Sequence, residues 1–125
     1  MTKQKNGIVH TYHDTDSTKL QSKFFIFNGK KEGEYKLYHE TGGLWYVFNY
    51  KNNNKEGIYT QYYLNIKQIY SIGNYQNDQY SGKFRMFWNN GILRSEYTYK
   101  NNKLEGEYLD YDKHEKLIST VKCII

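Results

Sequence analysis

Apolar and polar positions along the chain follow one pattern that restarts every 24 or 25 residues. The clearest copy begins at Gly33 and reads Gly-Glu-Tyr-Lys-Leu-Tyr-His before a polar turn. The pattern restarts at Gly57, Gly82 and Gly106, each time with aromatic residues two and five places after the glycine. A fixed period in this range indicates a repeat architecture, in which each unit packs on its neighbours.

Each unit contains two short segments that are typical of β-strands. The first follows the glycine, and the second begins with an aliphatic residue and ends in a tyrosine seven residues before the next glycine. Both are rich in Tyr, Ile, Phe and Thr, and turns rich in Asn, Lys and Gly separate them. The pattern therefore predicts an all-β chain of antiparallel hairpins in series.

The units have the following predicted boundaries. Residues 1–6 are polar and form a flexible tail, and residues 7–125 form a single array. The units are 7–32, 33–56, 57–81, 82–105 and 106–125. The first unit has Val9 at its first aromatic position and an enlarged turn, and the apolar ending from Val121 is expected to form a final strand.

The repeat glycines and the aromatic residues have expected structural roles. A glycine that recurs at Gly33, Gly57, Gly82 and Gly106 indicates a backbone with positive φ or a place with no room for a Cβ. The two aromatic positions of a unit have opposite parity, which predicts a bulge or a sharp bend between them. The aromatic residues at the second of these positions are expected to stack as a ladder, and they are Tyr12, Tyr38, Tyr62, Phe87 and Tyr111.

The composition favours a thin sheet over a packed ball. The chain of 125 residues has 15 Tyr, no Pro and no Ala. Its aliphatic content is low for a globular core, whereas Tyr can bury its ring and leave its hydroxyl group in water. The heavy use of Asn, Lys, Ile and Tyr also predicts an A/T-rich genome, such as those of certain bacteria and large DNA viruses.

Charge and cysteine content exclude several classes of protein. The net charge of +5 is spread evenly and offset by acidic residues, which argues against nucleic acid as a partner. Cys123 is the single cysteine, so no disulfide framework is expected. No apolar run has the length of a membrane span or of a signal peptide, and a cytoplasmic location is the expectation.

No residues in the sequence form a catalytic motif. It contains no nucleophile elbow, phosphate loop or zinc spacing, so the prediction is a non-enzymatic protein without a cofactor or metal. The carboxylates Glu32, Glu56 and Glu105 recur before the repeat glycines and are expected to accept hydrogen bonds in turns. His13 and His39 hold equivalent places, but Asp112 stands there in the last unit, so a histidine metal site is not maintained.

Four residues are candidates for binding a partner. His39, Tyr63 and Trp88 lie one place after the expected ladder and would face the opposite side of a regular strand. Trp45 follows the aliphatic residue that begins the second segment of its unit. Whether these side chains line a groove or fill the core of a thin fold stays open at this point.

The spacing Gly-x-Tyr-x-x-Tyr, a turn, Leu, and then Tyr-Lys-Asn-x-x-x-Glu-Gly resembles the MORN repeat in its variant form. That variant occurs in bacterial proteins described as antitoxin-component-like and in proteins of large DNA viruses. The resemblance covers roughly residues 7–120, and Ser81 departs from it by replacing the glutamate before Gly82.

The resemblance implies an elongated, single-layer β meander with one hairpin per repeat and a groove along one face. We expect a protein partner that binds in an aromatic groove or adds a strand along a sheet edge. Self-association through the open edges is a further expectation, with Ile124 and Ile125 favouring the C-terminal edge. The alternatives are peripheral binding to anionic phospholipid membranes and antitoxin-like neutralisation of a partner protein.

Overall fold

The computed structural model describes residues 6–15 and 18–123. Within these ranges all regular elements are β-strands, and they form the single antiparallel sheet in meander order that the sequence predicts. The strands are β1 (Gly7–Tyr12), β2 (Leu20–Phe27), β3 (Lys30–Tyr38), β4 (Leu44–Lys51), β5 (Asn54–Lys55), β6 (Gly57–Tyr62), β7 (Ile69–Gln76), β8 (Gln79–Tyr80), β9 (Gly82–Phe87), β10 (Leu93–Lys100), β11 (Lys103–Tyr111) and β12 (Leu117–Cys123). The two-residue strands β5 and β8 pair with β4 and β7, and the others follow one another across the sheet in chain order.

Tight turns line one side of the sheet, which we call the lower rim. The turns lie at residues 28–29, 52–53, 77–78 and 101–102, and both residues of each turn have positive φ. This is the conformation of the type I′ hairpin turn, whose twist matches that of the flanking strands. Asn, Asp and Gly occupy these places because they tolerate the left-handed region better than other residues.

The repeat glycines create a kink just above the lower rim. Phe25 pairs with Glu32 and Phe24 pairs with Tyr35, so Gly33 and Glu34 have no residue opposite them in β2. At Gly33, Gly57, Gly82 and Gly106, φ lies between 76° and 88°, and a Cβ would meet no atom within 4 Å. The backbone conformation, and not a lack of space, therefore requires glycine at these places.

A register shift lies level with the predicted bulge between the two aromatic positions, but its extra residue is on the facing second strand and not on the first strand. In the hairpin of β3 and β4, Leu37 pairs with Tyr46 and Tyr38 pairs with Leu44, so Trp45 is the extra residue. The same one-residue shift occurs in the four other hairpins, next to the longer loops that form the upper rim. The upper-rim loops begin at His13, His39, Tyr63, Trp88 and Asp112.

The sheet has little interior. Phe84, at 3% exposure, is the buried apolar side chain of the described residues, and three buried serines lie on the sheet at Ser22, Ser71 and Ser95. The apolar C-terminal segment forms β12 as expected, whereas Ile124, Ile125 and residues 1–5 of the predicted tail lie outside the described residues. None of the described residues belongs to a helix that is long and apolar enough to span a membrane.

Candidate interaction site

A row of aromatic rings runs across one face of the sheet, which we call the aromatic face. Facing residues on neighbouring strands share a side of the sheet, so the register brings the first aromatic position of each unit next to rings of the second strands. The row contains Phe24, Tyr35, Phe48, Tyr46, Tyr59, Phe84, Tyr97 and Tyr108, with successive ring centroids 4.9 to 6.4 Å apart.

A second set of rings flanks this row on the side of the lower rim. Tyr50 contacts Tyr35 and Phe48, and equivalent tyrosines lie at Tyr75 and Tyr99. The ammonium groups of Lys31 and Lys55 lie 5.0 to 5.4 Å from ring centroids of both sets. Cations over ring faces are attracted to the aromatic quadrupole, so these lysines partly cover the rings.

The aromatic face excludes enough water to raise the pKa of several of its tyrosine hydroxyl groups. Burial raises the pKa of Tyr75 and Tyr97 well above the ordinary tyrosine value, because the phenolate would lose hydration among the rings. Burial also raises the pKa of Tyr59, although the hydrogen bond between its hydroxyl and Ser71 opposes the shift. The face therefore combines apolar ring surface with neutral hydroxyl groups.

The position of this row differs from the expected ladder. Among the described residues, the rings of Tyr12, Tyr38, Tyr62, Phe87 and Tyr111 make no ring-to-ring contact. The contacting rings stand two places after each glycine, not five. Type I′ turns and the kink at the glycine set the strand register, and register decides which side chains meet on a face.

On the upper rim, the residue that follows the expected ladder position has a structural role. The side chain six places after a repeat glycine reaches across to the following hairpin and donates a hydrogen bond to a backbone carbonyl oxygen. The three bonds are His13 Nε2 to Tyr38 O (2.9 Å), Tyr63 Oη to Phe87 O (2.6 Å) and Trp88 Nε1 to Tyr111 O (3.1 Å). Three different side chains thus make the same contact between neighbouring hairpins.

The four candidate binding residues all lie on this rim. The ring of His39 stacks on Trp45 at 4.8 Å, but its buried Nε2 has no hydrogen-bond partner in the described part of the chain. Tyr63 contacts the bulged residue Tyr70, and the guanidinium of Arg94 lies 4.6 Å from the ring centroid of Trp88. Each candidate is half-buried and contacts its own sheet, but only Tyr63 and Trp88 also bond the next hairpin.

Hydrogen bonds at the lower rim join successive tight turns as well. The second residue of a turn donates its N–H to a carbonyl oxygen on the strand that follows the preceding tight turn, and it accepts that residue's N–H through its side-chain oxygen. These pairs are Asn53 with Lys31, Asp78 with Lys55 and Asn102 with Tyr80, at 2.6 to 3.2 Å. Asn and Asp at this place serve both the turn and the joint between hairpins.

The recurring glutamates take part in the same joints, as the sequence predicts. Glu32 accepts the N–H of Asn52 at 2.8 Å, and Glu56 accepts the N–H of Asn77 at 3.2 Å. Ser81 occupies the equivalent place before Gly82, and its hydroxyl lies 3.4 Å from the side chain of Gln76. The glutamates are therefore structural, and they act on a turn of the next hairpin.

Several surface hollows lie along the sheet, and two of them differ in character. One, of about 240 Å³, is on the aromatic face and is lined by Leu37, Tyr46, Phe48, Lys55, Tyr59 and Tyr75. The other, of about 320 Å³, includes exposed apolar and charged side chains such as Ile8, Phe25 and Lys23. Within residues 6–15 and 18–123, no three His, Cys, Asp or Glu side chains gather as a metal site would require.

Comparisons with protein-family models, with curated proteins and with solved structures found no match to this chain.

Proposed function

We propose that this chain is a non-enzymatic interaction module of the MORN-variant type, and that it binds a partner protein on the aromatic face. The observation that carries the proposal is the single layer itself. Aromatic rings cover one face of the sheet. Among the described residues, however, Phe84 is the apolar side chain that has less than a tenth of its surface exposed. Tyrosine-rich surfaces of this kind are typical of protein interfaces, because Tyr offers a large rigid contact area with a polar tip.

The hollow of about 240 Å³ provides a place for an anchoring side chain of the partner. Leu37 and four aromatic residues line it together with Lys55. The ammonium group of Lys55 lies 5.0 Å from the ring centroid of Phe48, so a cation stands beside the aromatic lining. An apolar side chain with a neighbouring acidic group would match this arrangement.

Addition of a second copy at a sheet edge is the weaker form of the proposal. Both end strands expose apolar side chains, with Ile8 at 55% and Ile118 at 61%. A copy that continued the array after β12 would, however, use Asp112 on the upper rim, where the internal joints use a donor. The carboxylate of Asp112 already accepts the N–H groups of His114 and Lys116.

The experiment is affinity capture from the native source with three baits. The wild-type chain is compared with Leu37→Lys, which places a charge in the hollow, and with Ile58→Lys on the opposite face. Ile58 is 60% exposed, so it accepts a lysine without loss of packing. A Tyr63→Ala, Trp88→Ala bait is unsuitable, because it removes the upper-rim hydrogen bond from two joints between hairpins.

The expected result is one dominant protein that the wild-type and Ile58→Lys baits retain and the Leu37→Lys bait loses. Equal recovery on all three baits would refute binding at the aromatic face. Liposomes of anionic and of neutral lipid are tested in parallel. Salt-sensitive binding to the anionic ones, with no captured protein, would replace the proposal by peripheral membrane binding.

A further inference from the structure

One hydrogen bond of the lower rim is made at three hairpin turns and is missing at the fourth. The residue before a repeat glycine uses its side-chain oxygen to accept the N–H of the first residue in the next turn. The three bonds are Asn6 Oδ1 to Asn28 N (2.8 Å), Glu32 Oε1 to Asn52 N (2.8 Å) and Glu56 Oε1 to Asn77 N (3.2 Å). The fourth turn begins at Asn101, and the residue that should supply the oxygen is Ser81.

The fourth turn nevertheless sits in the same place as the others. Asn102 donates its N–H to Tyr80 O at 3.2 Å and accepts the N–H of Tyr80 at 2.6 Å. These two bonds match those that hold Asn53 on Lys31. The N–H of Asn101 is therefore presented as in the sister turns, but it has no partner among the described residues.

A polar hollow of about 230 Å³ takes the place of the missing glutamate side chain. It is lined by Gln76, Asn77, Gln79, Tyr80, Ser81 and Asn101. None of these side chains is acidic, whereas hydroxyl and amide groups supply several hydrogen-bond donors. The hollow thus has the donors of a carboxylate site and lacks the carboxylate.

We propose that this hollow binds a carboxylate group from outside the chain. The carboxylate occupies the position that the carboxylates of Glu32 and Glu56 occupy in the sister joints, and it accepts the N–H of Asn101 and the hydroxyl of Ser81. Hydrogen bonds to an ionised acceptor are stronger than those between neutral groups, which favours a carboxylate over an amide. The source is either an acidic side chain of a partner chain or a free small carboxylate, and the inference does not depend on the aromatic face.

The test follows backbone amide signals of the full-length ¹⁵N-labelled chain by NMR. Sodium acetate is titrated, with sodium chloride and acetamide as controls for ionic strength and for neutral shape. We expect a saturable shift of the Asn101 amide that exceeds the shifts of Asn52 and Asn77 and is absent with acetamide. N-acetyl-glutamate amide is compared with its glutamine analogue. A response to the glutamate compound indicates a partner side chain as the source, and a response to acetate alone indicates a small carboxylate.

Three variants move or fill the site. Ser81→Glu supplies an internal carboxylate and should weaken the acetate response of Asn101 by at least about tenfold. Glu56→Ser should create a second acetate response, at the amide of Asn77. Glu105→Ser should create none, because Glu105 precedes no described turn. The proposal is overturned if the Asn101 amide moves no more than the amides of the other turns. An equal response in wild type and Ser81→Glu, or no new response in a folded Glu56→Ser chain, would overturn it as well.

Discussion

Replacement of Gly73 by alanine tests whether the aromatic row is tightly packed. Gly73 stands where the equivalent strands of other units carry Phe24, Phe48 or Tyr97. Two neighbouring rings fill the space that its missing side chain leaves. A methyl group on Gly73 would overlap the ring of Phe84 and lie 2.6 Å from Cε1 of Tyr59.

The expected cost follows from how firmly Phe84 is held. Its ring lies 4.9 to 5.9 Å from the rings of Tyr59, Tyr80, Tyr97 and Tyr99, so it cannot turn away without losing several contacts. Adding a methyl group to a well-packed site typically costs about 1–3 kcal/mol. A chain of this size loses roughly 4 °C in Tm per kcal/mol, so Tm should fall by about 4–12 °C.

The assay is thermal and urea unfolding followed by circular dichroism. Gly43→Ala is the matched control, because the nearest atom to its new Cβ is Cδ2 of His39 at 3.9 Å. Loss of backbone freedom in the unfolded chain should make that control neutral or stabilising by up to about 1 kcal/mol. Phe84→Leu, combined with Gly73→Ala, completes a double-mutant cycle that isolates the steric conflict.

The result that would refute the reasoning is a Gly73→Ala protein as stable as Gly43→Ala. The row would then have room for a methyl group, and Phe84 would be buried without being tightly packed. Additive effects of Gly73→Ala and Phe84→Leu would lead to the same conclusion, because a steric conflict predicts strong coupling between residues in contact.

Three further predictions concern the joints and the phenol groups. Tyr63→Phe removes only the hydroxyl that bonds the next hairpin and should cost about 0.5–1.5 kcal/mol of unfolding free energy, whereas Tyr12→Phe, with no hydroxyl partner in the described residues, should change it by less than about 0.5 kcal/mol. Glu32→Ala should lower Tm through loss of its turn bond, and Glu105→Ala, which precedes no described turn, should leave it unchanged. Because burial raises their pKa, seven tyrosines should titrate above the unfolded value of about 10 in absorbance at 295 nm, and stability should hold up to that pH and fall above it. Simple titration of all phenols at about pH 10 in the folded chain would contradict this last prediction. The seven are Tyr46, Tyr50, Tyr59, Tyr63, Tyr75, Tyr97 and Tyr99.

The sequence was sufficient to predict the hairpins and the roles of the recurring polar residues. Period, turn composition and the repeated glycine are local signals, and each has one physical interpretation in a β-hairpin. The turn bonds of Glu32 and Glu56 were predictable for the same reason, since a residue that recurs with the repeat serves the repeat. Side-chain parity predicted a bulge at this height, but it did not predict that the extra residue lies on the second strand.

It was harder to predict from the sequence which aromatic positions form the row, because this depends on the register between strands that are distant in sequence. Tyr35 and Tyr38 look alike in the sequence, but only Tyr35 meets Phe24 and Phe48 across the sheet. Adding the pairing that a two-residue type I′ turn imposes at residues 28–29 would have placed Phe24 opposite Gly33, two residues away from Tyr35. The two-residue shift at Gly33 is the part that no local signal gives.

The joints between hairpins also explain why an array with almost no interior can be ordered. A complete joint combines ring contacts with hydrogen bonds on both rims, so the strands are fixed to their neighbours at three heights of the sheet. Within residues 6–15 and 18–123, two joints lack a hydrogen bond, one at the Nε2 of His39 on the upper rim and one at the N–H of Asn101 on the lower rim. In a repeat protein, comparison with the complete joints shows which hydrogen-bonding group an incomplete joint lacks. The Asn101 site lacks a carboxylate oxygen, and it is exposed to solvent, so a group from outside the chain can supply that oxygen.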